Sequence, residues 1–288
     1  MGRARPGMQL VSAHEAVRRI PDGSRVILPH GCVEPTVFYE ALQAERGRFR
    51  NLHLYSGLQF GTYQFLRAGL GENFTYTTWQ ASSKIRRLFQ EGRADLLPLR
   101  FRDVTRVVRR GGPVQPDVVV IQVSKPENGF ASLGISVSLN RDLIANAGLV
   151  IAEINEHMPV THGNTRVAVT DIGLGIASDA PLGEYPTPRR TARIERIVEH
   201  VLGLIPRGAS VQCGVGAIPD AVLSRLHEVP HVHIHSGMLT EGVMSLVSKS
   251  HHHVRVVTGE IAGNARLYDF AARTPQLEFH PSSITHDL

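Results

Sequence analysis

The chain has 288 residues, of which 42% are hydrophobic and 20% are charged, and its formal net charge is +5. This composition is typical of a globular protein, and the length is sufficient for two domains that each bury their own core. No run of 18 or more apolar residues occurs, so the sequence predicts no transmembrane helix. Only two cysteines are present, which argues against a disulfide framework and favours a reducing, cytosolic location.

The predicted elements begin after a short amino-terminal segment. Residues 1–10 carry basic side chains but no apolar stretch of signal-peptide length, and we expect them to form a disordered lead. Ser12 to Glu15 have the pattern of a capping box, which predicts a helix over 13–20. Apolar spacing and β-branched content predict further helices at 36–46 and 83–91 and strands at 26–28, 52–56, 74–79 and 96–99.

Two continuous apolar runs follow, at 117–123 and 149–154, and both are rich in β-branched residues. Such runs are typical of parallel strands that are covered on both faces of a sheet. A predicted helix at 142–147 lies between them, which completes a right-handed βαβ unit. A further strand is predicted at 166–170.

A proline-rich segment at 179–189 has the composition of a linker, and an amphipathic helix is predicted after it at 191–205. We therefore expect an amino-terminal domain at 11–187 and a carboxy-terminal domain at 188–288. Because both halves alternate strands with helices, the predicted class is α/β.

A glycine turn at 213–218 leads from a short apolar run that ends at Val211 into a predicted helix. Pro219 suits the first helical position, where its missing N–H costs nothing. Backbone N–H groups at such a turn can hold an anion or a developing oxyanion. A plain turn between a strand and a helix is the commoner explanation of so short a motif.

The segment before this turn is similar to an earlier segment of the chain. Residues 20–26 read IPDGSRV and residues 205–211 read IPRGASV, and each is followed by a glycine turn and a proline. This repeat predicts two related α/β domains. Cys32 and Cys213 then occupy similar turns in different domains, which favours two free thiols over a bridge.

Arginines are concentrated between Lys84 and Arg110. Aromatic interleaving is thin there and no nucleic-acid motif is present, so a solvated basic face is favoured over a nucleic-acid surface. Attraction of a phosphate-rich ligand is a third explanation.

Three histidines, His231, His233 and His235, alternate with apolar residues along a predicted strand. Their spacing could serve a metal, but no cysteine or carboxylate cluster accompanies them. Hydrogen bonding near a polar site is the favoured role, and no metal site is predicted.

Four stretches together resemble the acetyl-CoA hydrolase/transferase family, in particular its 4-hydroxybutyrate CoA-transferases. They are DVVVIQVSKPENGFASLG at 117–134, VIAEINEHMPVTHG at 150–163, GVGAIPDAV at 214–222 and RLYDF at 266–270. The resemblance runs from about Met8 to the carboxyl end. It implies two CoA-transferase-like open α/β domains with largely parallel sheets. Members of the family continue beyond the position of Leu288, so the second domain is expected to be incomplete.

The resemblance also implies a reaction. In this family a glutamate attacks an acyl-CoA thioester, and coenzyme A is passed between carboxylic acids through covalent intermediates. Coenzyme A and acyl-CoA are then substrates, and no permanently bound cofactor is expected. Partners would be a small carboxylate and a second copy or second subunit, with no nucleic acid or membrane. The CoA-contacting turn falls on Gly214, Val215, Gly216, Ala217 and Ile218.

One departure concerns the nucleophile. The family's glutamate lies between a His-Ser or His-Thr pair and a methionine, and here that position is Gly237, within His235-Ser236-Gly237-Met238. Glycine cannot form the covalent intermediate. Glu241 would lie one helical turn from residue 237, about 5–6 Å away, which is too far for it to act in its place.

The sequence therefore leaves several functions open. An acyl-CoA:carboxylate CoA-transferase is implied by the resemblance, with activity in question at Gly237. The alternatives are an acyl-CoA hydrolase that uses a water at the vacated position, a non-catalytic CoA-binding or assembly subunit, and a degenerate product that folds poorly.

Further residues are candidates for a cleft that holds the ligand. Glu34 follows the first glycine turn, although a carboxylate at a helix start also explains it. Glu153 and Asn155 end a buried strand, where α/β sheets tend to bind ligands, and a capped strand end is the equal alternative. The full set of cleft candidates is Gly31, Glu34, Glu153, Asn155, His235 and Met238.

Overall fold

The structure is a computed structural model that describes residues 7–61, 64–66, 68 and 70–286. Its packing divides the chain into two compact units. Unit 1 contains the chain up to Gly134 together with Leu139–Val160 and Arg166–Gly183. Unit 2 contains Ile135–Ser138, Thr161–Thr165 and the chain from Glu184 onward. The predicted domains, 11–187 and 188–288, are continuous, whereas two short segments of the first range belong to the second compact unit.

Strands and helices alternate through both units. The strands are β1 Gln9–Leu10, β2 Arg25–Ile27, β3 Leu52–Ser56, β4 Phe74–Thr78, β5 Asp95–Leu96, β6 Val118–Val123, β7 Phe130–Ser132, β8 Leu149–Asn155, β9 His162–Gly163, β10 Arg166–Ala168, β11 Leu174–Ser178, β12 Ser210–Val211, β13 His233–Leu239, β14 Val256–Ile261 and β15 Leu277–Phe279. The α-helices are α1 Ala13–Arg18, α2 Thr36–Ala44, α3 Arg86–Gln90, α4 Val104–Val108, α5 Asn140–Asn146, α6 Ala192–Leu204, α7 Ala217–Arg225, α8 Gly242–Lys249, α9 Ala265–Arg273 and α10 Ser282–Thr285. Short 3₁₀ turns lie at Arg46–Arg48, Gln64–Leu66, Phe101–Asp103, Val169–Asp171 and Leu226–Glu228.

Unit 1 is built on an eight-stranded sheet in the order β1-β11-β8-β6-β2-β3-β4-β5. Every neighbouring pair in this sheet is parallel. All six residues of β6 are buried, as expected for a central strand that is covered on both faces. The predicted βαβ unit is confirmed, because β6 and β8 are parallel neighbours and α5 lies between them in the chain.

Unit 2 is built on a five-stranded, fully parallel sheet in the order β12-β13-β14-β15-β9. The predicted α/β class with largely parallel sheets is therefore confirmed in both units. The two similar segments, 20–26 and 205–211, each belong to a strand, a glycine turn and a helix. These are β2 to α2 in unit 1 and β12 to α7 in unit 2.

Several local predictions are corrected. Gln9 and Leu10 form an edge strand parallel to β11, because the Gln9 N–H donates to the Gly173 carbonyl at 3.1 Å. The prediction of a disordered lead over 1–10 is therefore wrong for Gln9 and Leu10. Residues 1–6 of that prediction lie outside the described residues. The strand predicted at 166–170 is shorter and pairs antiparallel with β7, outside the large sheet. Pro219 is the third residue of α7 rather than the first, since the helix begins at Ala217.

Two further observations concern predictions about single residues. His231 precedes β13 with a φ of 60°, so the three histidines do not share one strand face. Cys32 is buried, Cys213 is half-buried, and both are free thiols. Within the described ranges, no helix is both long and apolar enough to cross a bilayer.

Candidate functional site in unit 2

The glycine turn joins β12 to the amino-terminal end of α7. Gly216 precedes the helix with a φ of 143°, a conformation that favours glycine. The first-turn N–H groups of Ala217 and Ile218 have no acceptor within the helix, as at every helix start. Gly214 and Ile218 are exposed, and Val215, Gly216 and Ala217 are half-buried. The turn therefore presents accessible donors at the positive end of a helix, which can hold an anionic or polarised oxygen.

Ser236 of β13 ties this turn to the neighbouring strand. Its hydroxyl donates to the Cys213 carbonyl at 2.8 Å and accepts from the Cys213 N–H at 3.3 Å. The turn is thus held beside Gly237, the position that follows Ser236 in the chain. Burial raises the pKa of the Cys213 thiol to about 11, so this sulfur is protonated at neutral pH and is a poor nucleophile.

Gly237 is buried in β13, and another side chain occupies the space beside it. A Cβ atom at position 237 would lie closer than 3.0 Å to Cε1 and Nε2 of His286. His286 directly follows α10, which packs against β13 and β14. The imidazole therefore fills the volume into which a side chain at position 237 would project.

A second glycine completes this arrangement from the adjacent strand. A Cβ atom at Gly259 of β14 would lie 2.8 Å from the Gly237 carbonyl oxygen and 3.3 Å from Thr285 Oγ1. Thr285 Oγ1 in turn lies 2.9 Å from His286 Nδ1. We call this pair of small residues, Gly237 and Gly259, the glycine notch.

Two predicted site residues flank the notch. His235 Nε2 lies 2.8 Å from the Ile284 carbonyl oxygen, which attaches β13 to α10 and agrees with the predicted hydrogen-bonding role. Met238 is half-buried and pairs in register with Glu260, on the face of β13 opposite to Gly237.

Glu241 does not lie one helical turn from Gly237, as the sequence predicts. Residue 237 is in a strand, so the helical spacing used to estimate its distance from Glu241 is wrong. Glu241 precedes α8, and its Oε2 accepts a hydrogen bond from Thr187 Oγ1 at 2.5 Å. Its carboxylate is therefore directed to the segment before α6 and does not replace a side chain at position 237.

The remaining predicted site residues lie in unit 1. Gly31 is buried with a φ of 71°, and its N–H donates to the Leu58 carbonyl at 2.8 Å. The half-buried Glu34 carboxylate lies against two glycines: a Cβ at Gly61 would be 2.6 Å from Oε1, and one at Gly183 would be 3.0 Å from Cδ. Both glycines therefore make room for this carboxylate.

Glu153 and Asn155 are fully buried at the end of β8. Glu153 Oε2 accepts from the Phe38 N–H at 3.0 Å in the first turn of α2, and Oε1 accepts from Gln122 Nε2 at 3.1 Å. Asn155 donates to the Ala180 carbonyl at 2.9 Å. Burial raises the pKa of Glu153 above its ordinary value, against the opposing effect of these hydrogen bonds. Both side chains have structural partners, and a role in a ligand cleft stays a prediction.

The structure brings together residues that sequence reasoning did not select, namely Gly259, Thr285 and His286. Only a weak signal was available, because Gly259 breaks a β-branched strand and His286 lies near the end of the chain. In the described part of the chain, no group of three or more histidine, cysteine or acidic side chains is arranged to hold a metal ion.

The chain is similar in sequence to one protein family and to several known CoA-transferases. The family model for the acetyl-CoA hydrolase/transferase N-terminal domain matches residues 6–200. The 4-hydroxybutyrate coenzyme A transferase of Clostridium kluyveri is 33% identical over 280 residues, which cover 94% of this chain and 65% of the relative. The succinyl-CoA:acetate/propanoyl-CoA:succinate CoA transferase of Fasciola hepatica is 29% identical, over 90% of this chain and 56% of the relative. The chain thus spans less than two thirds of the length of these relatives.

Solved structures are similar over nearly the whole chain. RipA from Yersinia pestis has a TM-score of 0.88 at 23% identity, over 96% of this chain and 69% of that protein. The 4-hydroxybutyrate CoA-transferase of Porphyromonas gingivalis has a TM-score of 0.76 at 27% identity, over 94% of this chain and 67% of that protein. At its level of identity, the similarity to RipA is a similarity of fold alone.

Proposed function

The chain belongs to the acetyl-CoA hydrolase/transferase family, and from that membership we propose that it binds acyl-CoA thioesters and transfers coenzyme A to a small carboxylate. The observation that carries this proposal is the glycine turn, whose backbone donors at the start of α7, on the half-buried Ala217 and the exposed Ile218, have no acceptor within the helix. Ser236 holds that turn beside position 237, where the family's nucleophile is expected.

The turn supports thioester binding for an electrostatic reason. When a nucleophile adds to a thioester, negative charge develops on the carbonyl oxygen, and fixed N–H donors at a helix start stabilise that charge. Ala217 and Ile218 supply donors of this kind, whereas Pro219 has no N–H. We therefore assign the acyl-CoA carbonyl oxygen to the turn. A carboxylate acceptor and an assembly with a second copy or a second subunit form part of the same proposal.

Hydrolysis of acyl-CoA is the second candidate, and one observation favours it. Transfer through a covalent intermediate needs a carboxylate, and position 237 has no side chain to supply one. The volume that such a side chain would fill contains the imidazole of His286. An imidazole can take a proton from water, so the same site is suited to hydrolysis.

The test is to incubate the full chain with acetyl-CoA and a panel of carboxylates, following new acyl-CoA products and free thiol in parallel. Binding of acetyl-CoA is measured separately by calorimetry. Transfer by the unmodified chain supports the first candidate, and thiol release without transfer supports the second. If acetyl-CoA does not bind and neither product forms, the proposed function is wrong.

The matched variants are Gly237→Glu alone and Gly237→Glu combined with His286→Ala. The single variant places its side chain against the imidazole, so we expect little transfer from it. The double variant removes that obstruction and restores a carboxylate. Transfer gained only by the double variant would support an intact acyl-CoA site that lacks its nucleophile.

A further inference from the structure

We infer that His286 is the catalytic base of a thioester hydrolysis site built at the glycine notch. This inference rests on the proposed function, since it requires that acyl-CoA binds at the turn beside Gly237. It assigns a reacting group to a residue that the sequence motifs do not indicate.

The side chains of Thr285 and His286 occupy the space over the two glycines of the notch. Gly237 and Gly259 are neighbours on adjacent parallel strands, and both lack a side chain on the same face of the sheet. Thr285 lies over Gly259 and His286 lies over Gly237. Thr285, in α10, and His286, directly after it, thus fill the space that side chains at positions 259 and 237 would occupy.

The imidazole of His286 is held in position by contacts of α10 and of Thr285. The Ser282 N–H donates to the Ser138 carbonyl at 3.0 Å, and His235 Nε2 lies 2.8 Å from the Ile284 carbonyl oxygen. Both contacts anchor α10, and Thr285 Oγ1 lies 2.9 Å from His286 Nδ1. If Nδ1 donates its proton to Thr285 Oγ1, Nε2 is the basic nitrogen, and Nε2 is the ring nitrogen nearer to position 237.

Two serine hydroxyls are buried beside the notch. Ser138 is 0% exposed and Ser282 is 1% exposed, and neither hydroxyl has a hydrogen-bond partner within the described residues. The Cβ of Ser138 lies 3.5 Å from the point where a Cβ of Gly259 would be. Buried hydroxyls normally have partners, and a water molecule is the ordinary partner in a polar site of this kind.

Ser138 also has an uncommon backbone conformation, with a φ of 26° in a residue that is not glycine. Its N–H and that of Val137 both donate to the Gly259 carbonyl, at 3.1 and 2.9 Å. Strained residues of this kind are concentrated at functional sites. The conformation holds the Ser138 side chain next to the notch.

The reaction balances with water as its only co-reactant. His286 Nε2 takes a proton from water as the water oxygen bonds to the thioester carbonyl carbon. The resulting oxyanion is stabilised by the N–H donors of the turn. When the carbon–sulfur bond breaks, the thiolate of coenzyme A takes the proton back from the imidazolium. The products are a free carboxylic acid and coenzyme A.

The experiment compares His286→Asn and His286→Ala with the unmodified chain, by thiol release from saturating acetyl-CoA. A general base contributes about 10²- to 10⁴-fold to a rate, so we expect kcat to fall by about that factor. Calorimetry should give the same acetyl-CoA affinity for all three proteins. His200→Asn is the control, because His200 is an exposed residue of α6 that lies 37 positions before Gly237, and the rate of this variant should not change.

Rescue separates catalysis from a structural role. His286→Ala leaves a space of the size of an imidazole, so added free imidazole should restore thiol release in that variant and not in the unmodified chain. Full activity in His286→Ala, or loss of activity without any rescue in a folded protein, would overturn the inference. So would an unmodified chain that binds acetyl-CoA and releases no thiol, in which case His286 only blocks the site. Failure of acetyl-CoA to bind at all identifies an error in the proposed function instead.

Discussion

The absence of a side chain at Gly237 affects how the residues around it pack. The strand is buried at this point, and protein interiors contain few voids of side-chain size. His286 and Thr285 occupy the space over the two glycines of the notch. We therefore expect substitutions at positions 237 and 286 to have non-additive effects on the free energy of unfolding.

We predict that Gly237→Ala destabilises the protein. The added methyl group would lie within 3.0 Å of the His286 ring, and overpacking of this kind costs about 1–3 kcal/mol. The same substitution should cost less than half as much in a His286→Ala background, because the ring is absent. The measurement is the free energy of unfolding by urea for the four proteins of this double-mutant cycle.

Gly203→Ala is the control for that cycle. Gly203 is an exposed residue of α6, and a Cβ atom there would meet nothing within 4 Å. Alanine should stabilise the helix by about 0.5–1 kcal/mol. Equal destabilisation by Gly237→Ala in both His286 backgrounds would contradict the proposed contact.

Among the elements, α2 depends on a carboxylate from another part of the chain. Glu153 of β8 accepts the Phe38 N–H at 3.0 Å, and no side chain of α2 itself caps the helix start. The carboxyl group also lies at the positive end of the helix, which favours its ionised form against the larger, opposite effect of burial. One buried residue thus joins β8, the Gln122 side chain of β6 and α2.

We predict that Glu153→Ala lowers the free energy of unfolding by about 1–3 kcal/mol, because it leaves buried donors without an acceptor. Glu156→Ala is the matched control, since Glu156 is exposed and directly follows β8. Its effect on the free energy of unfolding should be within about 0.5 kcal/mol.

The same residue predicts a pH dependence. Burial raises the pKa of Glu153 in the folded protein above its ordinary value of 4.5, so the folded state binds this proton more tightly than the unfolded chain. Its contribution to stability is present below the unfolded pKa and is lost as the pH rises through the folded pKa. The unmodified chain should therefore lose stability relative to Glu153→Gln as the pH rises from 4 to 8. If the difference in the free energy of unfolding between the two proteins stays constant over this range, burial does not raise the pKa of the Glu153 carboxyl.

At the scale of the whole molecule, unit 2 is assembled from three separate pieces of chain. Strand β9 forms one edge of its sheet beside β15, and segment 135–138 binds the backbone of β14. The Ile261 N–H donates to the Ile135 carbonyl at 3.0 Å, for example. Both pieces precede the predicted linker by more than ten residues.

We therefore predict that a fragment of residues 188–288 does not fold cooperatively. It lacks β9 and segment 135–138, so backbone groups of β14 and β15 lose their partners. Thermal unfolding followed by circular dichroism should show a sharp transition for the full chain and a broad, shallow one for the fragment. A sharp transition in the fragment would mean that the two missing segments are dispensable.

Local chemistry along the chain determined most of the elements. The β-branched run at 118–123 is typical of a parallel strand covered on both faces, and all of β6 is buried. Ser12 caps α1 by accepting the Glu15 N–H at 3.1 Å, as its capping box predicts. The glycine turn before α7 and the glycine at position 237 were also evident, because each is read from residues adjacent in sequence.

Only the tertiary structure decided which distant residues share a space. Thr285 and His286 are 48 and 49 positions from Gly237, and Ser138 is 99 positions from it, so no sequence periodicity links them. Parallel pairing of β13 and β14 places two glycines side by side, and the packing of α10 on those strands brings an imidazole over them. The partner of Glu153 was decided in the same way, since the strand order places β8 and β6 beneath the start of α2. Contacts of this kind arise from strand order and close packing, which a single sequence read along its length does not specify.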